Sequence, residues 1–143
     1  MRLSRLRNDR GSVLLLGLGF VGVTLVALSV AVDASLAFVQ RSVVQARADA
    51  AVLAGVQAID FAAYYAHGAT SGTTLVPDHA RTSTLQHLQQ ANQRSAIEGL
   101  EIVSVTSTPS TVETVLRAPV RTVFWPIDAS ISVRAQARLD YVG

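Results

Sequence analysis

From Gly11 to Val32 the chain reads GSVLLLGLGFVGVTLVALSVAV, 22 residues without a charge. No other feature narrows the fold as much. As a helix this run extends about 33 Å at ~1.5 Å per residue, and a bilayer's hydrocarbon core is ~30 Å thick. The apolar core of a signal peptide is shorter, usually about 7–15 residues. Arg2, Arg5, Arg7 and Arg10 precede the run and Asp33 follows it. The positive-inside rule then leaves the N-terminus in the cytoplasm and sends the remainder outside. Two readings stand. One is a retained single-pass span of the inner membrane, surrounded by lipid. The other is a signal peptide cleaved near Ala27-Leu28-Ser29. Hydrophobic length favours the span.

The net charge of +2 is unevenly spread. Residues 1–32 carry four Arg against Asp9, whereas the rest carries eight Arg against nine acids. The basic character belongs to the N-terminal tip. A nucleic-acid partner would call for a basic folded face, so none is expected. There is no cysteine, which excludes a disulfide framework and thiolate chemistry.

Between Val32 and Tyr65 there is no Pro, and Gly55 is the only Gly. The pattern predicts one continuous helix from about Ser12 to about Tyr65. In its outer half Leu36, Val39, Val43, Ala46, Ala50 and Leu53 recur at spacings of three and four, an apolar packing stripe. It serves either the chain's own domain or sister subunits. Gln40, Arg41, Gln45, Arg47 and Asp49 fall on other faces. Ala27, Ala31 and Ser35, four apart, form a small-residue stripe that permits close helix contact in lipid. The stretch QARADAAVLAGVQA (45–58) is rich in alanine. Alanine keeps a helix helical while letting a neighbouring backbone come near.

Residues 67–74 (HGATSGTT) read as a loop. Asp78 is the expected N-cap of a second helix over about His79–Ile97, with Ala80, Leu85, Leu88, Ala91 and Ala96 on its apolar side and Gly99 ending it. Beyond Gly99 the pattern turns strand-like. Glu101–Ser107, Thr111–Arg117, Val120–Phe124 and Ser130–Asp140 are candidates. In the last, Ile131, Val133, Ala135, Ala137 and Leu139 alternate with polar residues, as in a half-buried antiparallel strand. The expected fold is α+β and pilin-like: a long N-terminal transmembrane helix continuing outside the membrane, a short second helix and a small antiparallel sheet. The divisions are a basic tip (1–10), a transmembrane helix (11–32), its extracytoplasmic continuation (33–66) and a small outer domain (67–143).

Arg10-Gly11, the hydrophobic span, Asp33, Gln45, Ala48-Asp49-Ala50-Ala51 and Leu53-Ala54-Gly55 occur in that order. With this ordered set the chain resembles the TadE/TadG-like proteins of the tight-adherence (Tad, or Flp) pilus assembly system over roughly its first 58 residues. The resemblance implies a minor pilin-like or membrane-anchored assembly component of a Tad-type (type IVb) pilus or related secretion system, with a role in adhesion. Its implied partners are membrane lipid and other pilin-like or pilus-assembly subunits, met through helix packing. Gly11 and Ser12 would flank a prepilin-type processing site. Leu16 stands where processed members usually carry a Glu, which argues for the anchored type.

No catalytic constellation is present. His79 and His87 lack a third ligand and any zinc motif. There is no GxSxG, and the glycines 17, 19 and 22 lie inside the span, where no phosphate loop forms. No enzyme activity, cofactor, metal or small-molecule substrate is expected. The alternative reading is a secreted or anchored extracytoplasmic binding module unrelated to pili. Asp33 is either a topological stop at the headgroups or an acceptor for a neighbouring subunit's Arg or N-terminus. Trp125, the only Trp, is read as core, as an interfacial anchor or as a contact patch, with core favoured.

Overall fold

The computed structural model describes residues 9–59, 65 and 74–139. The expectations for Arg2, Arg5, Arg7, the loop at 67–73, Tyr65's neighbours 60–64 and Asp140 lie outside the described residues, as does the side chain of Arg10.

A single helix, α1, runs over Asp9–Val56. It carries the apolar run and continues beyond it for nearly seven turns at ~3.6 residues per turn. It stops nine residues short of the expected Tyr65. Ala58 donates its N–H to the Gly55 carbonyl and Ile59 to that of Gln57. Ile59 then bridges Leu75 in antiparallel fashion, bringing the chain beside the start of the next helix.

That helix, α2, spans Pro77–Arg94. It begins two residues earlier than expected. Val76 is the extended N-cap residue, without a side-chain cap, and Pro77 takes the first helical position. There a missing N–H costs nothing and the fixed φ suits a helix. Asp78 lies in the first turn, where a negative charge meets the helix dipole favourably. The helix ends at Ser95, whose N–H reaches the Ala91 carbonyl. Gly99 does not cap it. With φ of +72°, it instead makes the turn into the sheet, where an added Cβ would sit 2.7 Å from the Pro119 ring.

Three strands follow: β1 over Glu101–Ser107, β2 over Thr111–Pro119 and β3 over Ser130–Arg138. They form an antiparallel meander in the order β1-β2-β3, with a bulge between Ile102 and Ser104. Val120–Phe124 is not a strand. It opens a connection that crosses back to α1. Pro119 ends β2 because it has no ladder N–H.

One face of the sheet is covered by both helices. Val112, Leu116 and Ala118 of β2 with Val133 and Ala135 of β3 meet Val44, Ala48, Ala51 and Val52 of α1 and Ala80 and Leu88 of α2. Full burial of a Val or Leu contributes about 1.5–3 kcal/mol. The outer half of α1 therefore shares one core with the sheet domain. The architecture is α+β: long apolar helix, short second helix, three-stranded antiparallel sheet.

The two helices approach closely at Gly55. A Cβ there would collide with the Thr84 hydroxyl and lie 3.1 Å from the Ala80 carbonyl oxygen and from Val112 Cγ1. Thr84 is fully buried and donates to that same carbonyl at 2.8 Å. Gly55→Ala therefore should destabilise the full chain in detergent by about 1–3 kcal/mol, as overpacking does, despite alanine's better helix propensity. Adding Thr84→Ala should recover part of the loss, with the two changes strongly non-additive. Thermal melts of the four variants check this. A double variant no more stable than Gly55→Ala would rule out Thr84 as the obstacle.

Candidate functional site

The outer half of α1 has two working faces. The inner face holds the sheet domain by polar side chains as well as by its core. Asp33 is 5% exposed. One carboxylate oxygen accepts the Val123 N–H at 2.8 Å and the other the Trp125 N–H at 2.9 Å, while the Phe124 N–H lies 3.2–3.3 Å from both. One turn below, Ser29 Oγ accepts the Trp125 indole N–H at 3.2 Å. Two turns above, Gln40 forms a reciprocal pair with residue 121. Its Oε1 accepts the Arg121 N–H at 2.9 Å and its Nε2 donates to the Arg121 carbonyl at 3.3 Å. Gln45 Nε2 donates to Asp49 Oδ1 at 2.9 Å and to the Arg134 carbonyl of β3 at 3.3 Å. Arg47 donates through Nη2 to the Ser95 carbonyl, at the C-terminal end of α2, where a cation is favoured.

Sequence reading set Gln40, Gln45 and Arg47 apart from the packing face. The structure places them on it. It also fills the Asp33 carboxylate with donors from its own chain, so a neighbouring subunit's Arg would find both oxygens taken. Trp125 is not core: it is 48% exposed and belongs to the docked connection. The missed elements are Ser29 and residues 121–124. Their one sequence signal is TVFWPI (122–127), an uncharged run between Arg121 and Asp128.

The outer face carries the predicted stripe. Leu36, Val39, Val43 and Leu53 are 37–58% exposed, Ala46 is exposed and Ala50 half-buried. Among the described residues the stripe lies mostly beside the chain's own domain, which sits on the face defined by Asp33, Gln40, Val44, Ala48, Ala51 and Gly55; Val39 and Val43 line a cavity with Ala96 and Ile97 at the domain's edge. Ala27, Ala31 and Ser35 are likewise exposed, with the Ser35 hydroxyl returned to the Ala31 carbonyl at 2.8 Å. Below Asp33 the helix has an 18-residue apolar window of mean hydropathy 2.5, none of it buried by the rest of the chain. It is thus not the core helix of the folded domain. By length and composition it can cross a membrane.

Residues 11–58 match the family described as Tad, Flp pilus-assembly TadE/G-like. This stretch, about a third of the chain, is similar to that family. The match ends two residues beyond α1, so it covers the helix with both of its faces and leaves α2 and the sheet outside. No curated protein and no solved structure matches the chain. The segment's Asp, Gln, Ala-Asp-Ala-Ala and Leu-Ala-Gly elements now have a physical content. Asp33 and Gln45 hold main-chain groups of the domain, Ala48 and Ala51 are core, and Gly55 is the point of closest helix approach. Among the described residues no group of three or more His, Asp or Glu could hold a metal. His79 is exposed and His87 half-buried on α2.

The carboxyl of Asp33 is held below its ordinary value, first by the Val123 N–H and, against an opposing effect of burial, by those of Trp125 and Phe124. A carboxyl depressed in the folded state stabilises it fully above the unfolded value of about 3.9 and loses that contribution as pH falls through the folded value. Docking of residues 121–127 should therefore hold at neutral pH and weaken only in strong acid, below about pH 4. Asp33→Asn should undock it at neutral pH, since its NH2 group faces N–H donors. Amide exchange at 123–125 in detergent-solubilised protein should then accelerate by roughly an order of magnitude or more. Unchanged protection in Asp33→Asn would contradict the assignment.

Proposed function

We propose that the chain is a non-enzymatic, membrane-anchored component of a Tad-type pilus or related secretion system, a minor pilin-like subunit or an assembly factor. The observation that carries this reading is the TadE/G-like match over residues 11–58, laid on a helix whose outward stripe is largely exposed among the described residues. Its action is structural. The span Gly11–Val32 anchors, and the arginines at 2, 5, 7 and 10 keep the N-terminus in the cytoplasm. The domain built on residues 33–143 lies outside. Leu36, Val39, Val43, Ala46, Ala50 and Leu53 pack against helices of neighbouring pilin-like or assembly subunits. Small residues at 46 and 50 let such a helix approach closely, and Ala27, Ala31 and Ser35 extend the contact into lipid. The inward polar side chains are already committed to the domain, which leaves this stripe for partners.

Ala46→Leu/Ala50→Leu tests the packing role. Photo-crosslinks from residues 39, 43 and 53 to other membrane proteins should fall several-fold in native membranes, with pilus assembly reduced and the melting temperature of the purified chain little changed. Undiminished crosslinking and assembly would count against it. The mature N-terminus separates the two forms of the proposal. A start at Met1 or Arg2, confined to membranes, fits an anchored assembly factor, which Leu16 favours. A start at Ser12 in sheared surface material fits a processed subunit of the filament. A start near residue 30 would remove the span and overturn the anchoring.

A further inference from the structure

The connection between β2 and β3 exposes its apolar side chains at the foot of the domain. Val123 is 70% exposed, Phe124 56%, Trp125 48% and Ile127 56%. These residues do not point away from the span. Phe124 lines a depression with Leu25, Val26, Leu28, Ser29 and Val32 of α1. On the other side of the connection, a largely apolar groove of about 620 Å³ runs between Val26, Val30 and Ala34 and the residues Trp125, Pro126 and Ile127. The indole is tied to Ser29, four residues inside Asp33. At ~1.5 Å per residue, Ser29 lies about 6 Å and Leu25 about 12 Å toward the membrane centre from Asp33. The tip thus stands beside the last turns of the apolar run, at the level where Trp side chains prefer to sit.

We propose that residues 122–127 form a second membrane contact, a re-entrant tip inserted among the lipids of the leaflet at the Asp33 end of the span. Its occupant is lipid: the groove and the depression take acyl chains continuous with those around α1. Composition and polar satisfaction both support this. Six uncharged residues lie between Arg121 and Asp128, so the charges sit where the tip leaves the bilayer. Irregular backbone at membrane depth is tolerated only where its polar groups find protein partners. Here Asp33 takes three consecutive N–H groups, at 123, 124 and 125. The Trp125 carbonyl accepts from the Thr122 hydroxyl, and Ser29 takes the indole N–H. Asp33 thereby acts as the buried acceptor that lets a non-helical tip enter lipid.

Trp125 is the chain's only Trp, so its emission reports the tip alone. The full chain is reconstituted in phosphatidylcholine–phosphatidylglycerol vesicles, and flotation with the vesicles first confirms that the span is inserted. Lipids brominated near the glycerol end of their chains should quench Trp125 several-fold. Lipids brominated at the chain termini should quench it less, and iodide present on both sides should have little effect. Asp33→Asn should reverse the order, with iodide now the stronger quencher. Strong iodide quenching with no effect of brominated lipid, in protein that floats, would overturn the proposal and mark the tip as an aqueous surface for a protein partner. Lipid quenching unchanged in Asp33→Asn would overturn the role given to the carboxylate. Neither result bears on pilus assembly, which is read from crosslinking and from the mature N-terminus.

Discussion

The junction between Asp33 and the amides of residues 123–125 fixes how the folded domain stands on its helix. Without it the core of Val44, Ala48, Val52 and Leu116 would still hold the upper turns of α1 to the sheet. The lower turns would keep Gln40, the Ser29 hydroxyl with the Trp125 indole N–H, and the apolar contacts around Trp125. A carboxylate is suited to this place because it only accepts when ionised, and its two oxygens can serve several N–H groups at once. Hydrogen bonds to an ionised acceptor are shorter and stronger than neutral ones, and the short spacing to Val123 and Trp125 fits that rule. A hydroxyl or amide would leave donors unmet.

Upward from that junction the helix changes its means of attachment. Asp33, Gln40, Gln45 and Arg47 bind main-chain groups, then Ala48, Ala51, Val52 and Gly55 bind by fit. The progression explains the alanine-rich stretch at 45–58. The second helix can come near only where the first has little side chain, and Gly55 against Thr84 is the tightest point. Small residues here serve contact within the chain as well as helix propensity. Apart from Val44 and Val52, the larger apolar residues, Leu36, Val39, Val43 and Leu53, were left exposed outside that contact.

This division also shows what could be read from the sequence. Strands β2 and β3 were legible because Val112, Thr114 and Leu116 alternate with half-buried positions and Val133 and Ala135 with exposed ones, and a period of two tolerates little ambiguity. The length of α1 and its membrane-compatible part were legible from uninterrupted hydropathy. The packing face of α1 was not. A search for large apolar residues at helical spacing finds the outward stripe, because the inward face has only Val44 and Val52 among Asp, Gln, Ala and Gly. The end of α1 at Val56 was hidden by continuing helix formers, and the chain is turned there by contacts with Leu75 that no local signal encodes. Val120–Phe124 looked like a strand since β-branched and aromatic residues also suit an exposed tip. Trp125 looked like core on rarity alone, while its indole N–H needed a partner that only the fold could bring, Ser29.

Among the described residues, nearly every polar bond from α1 to the domain ends on a main-chain atom: the amides of 121 and 123–125 and the carbonyls of 95, 121 and 134. The helix therefore does the reading, and the domain is recognised by the path of its backbone instead of by its side chains. Such a joint is indifferent to most substitutions in the segments it grips. One mounting can then carry outer domains of differing surface chemistry, provided their chain passes the same points.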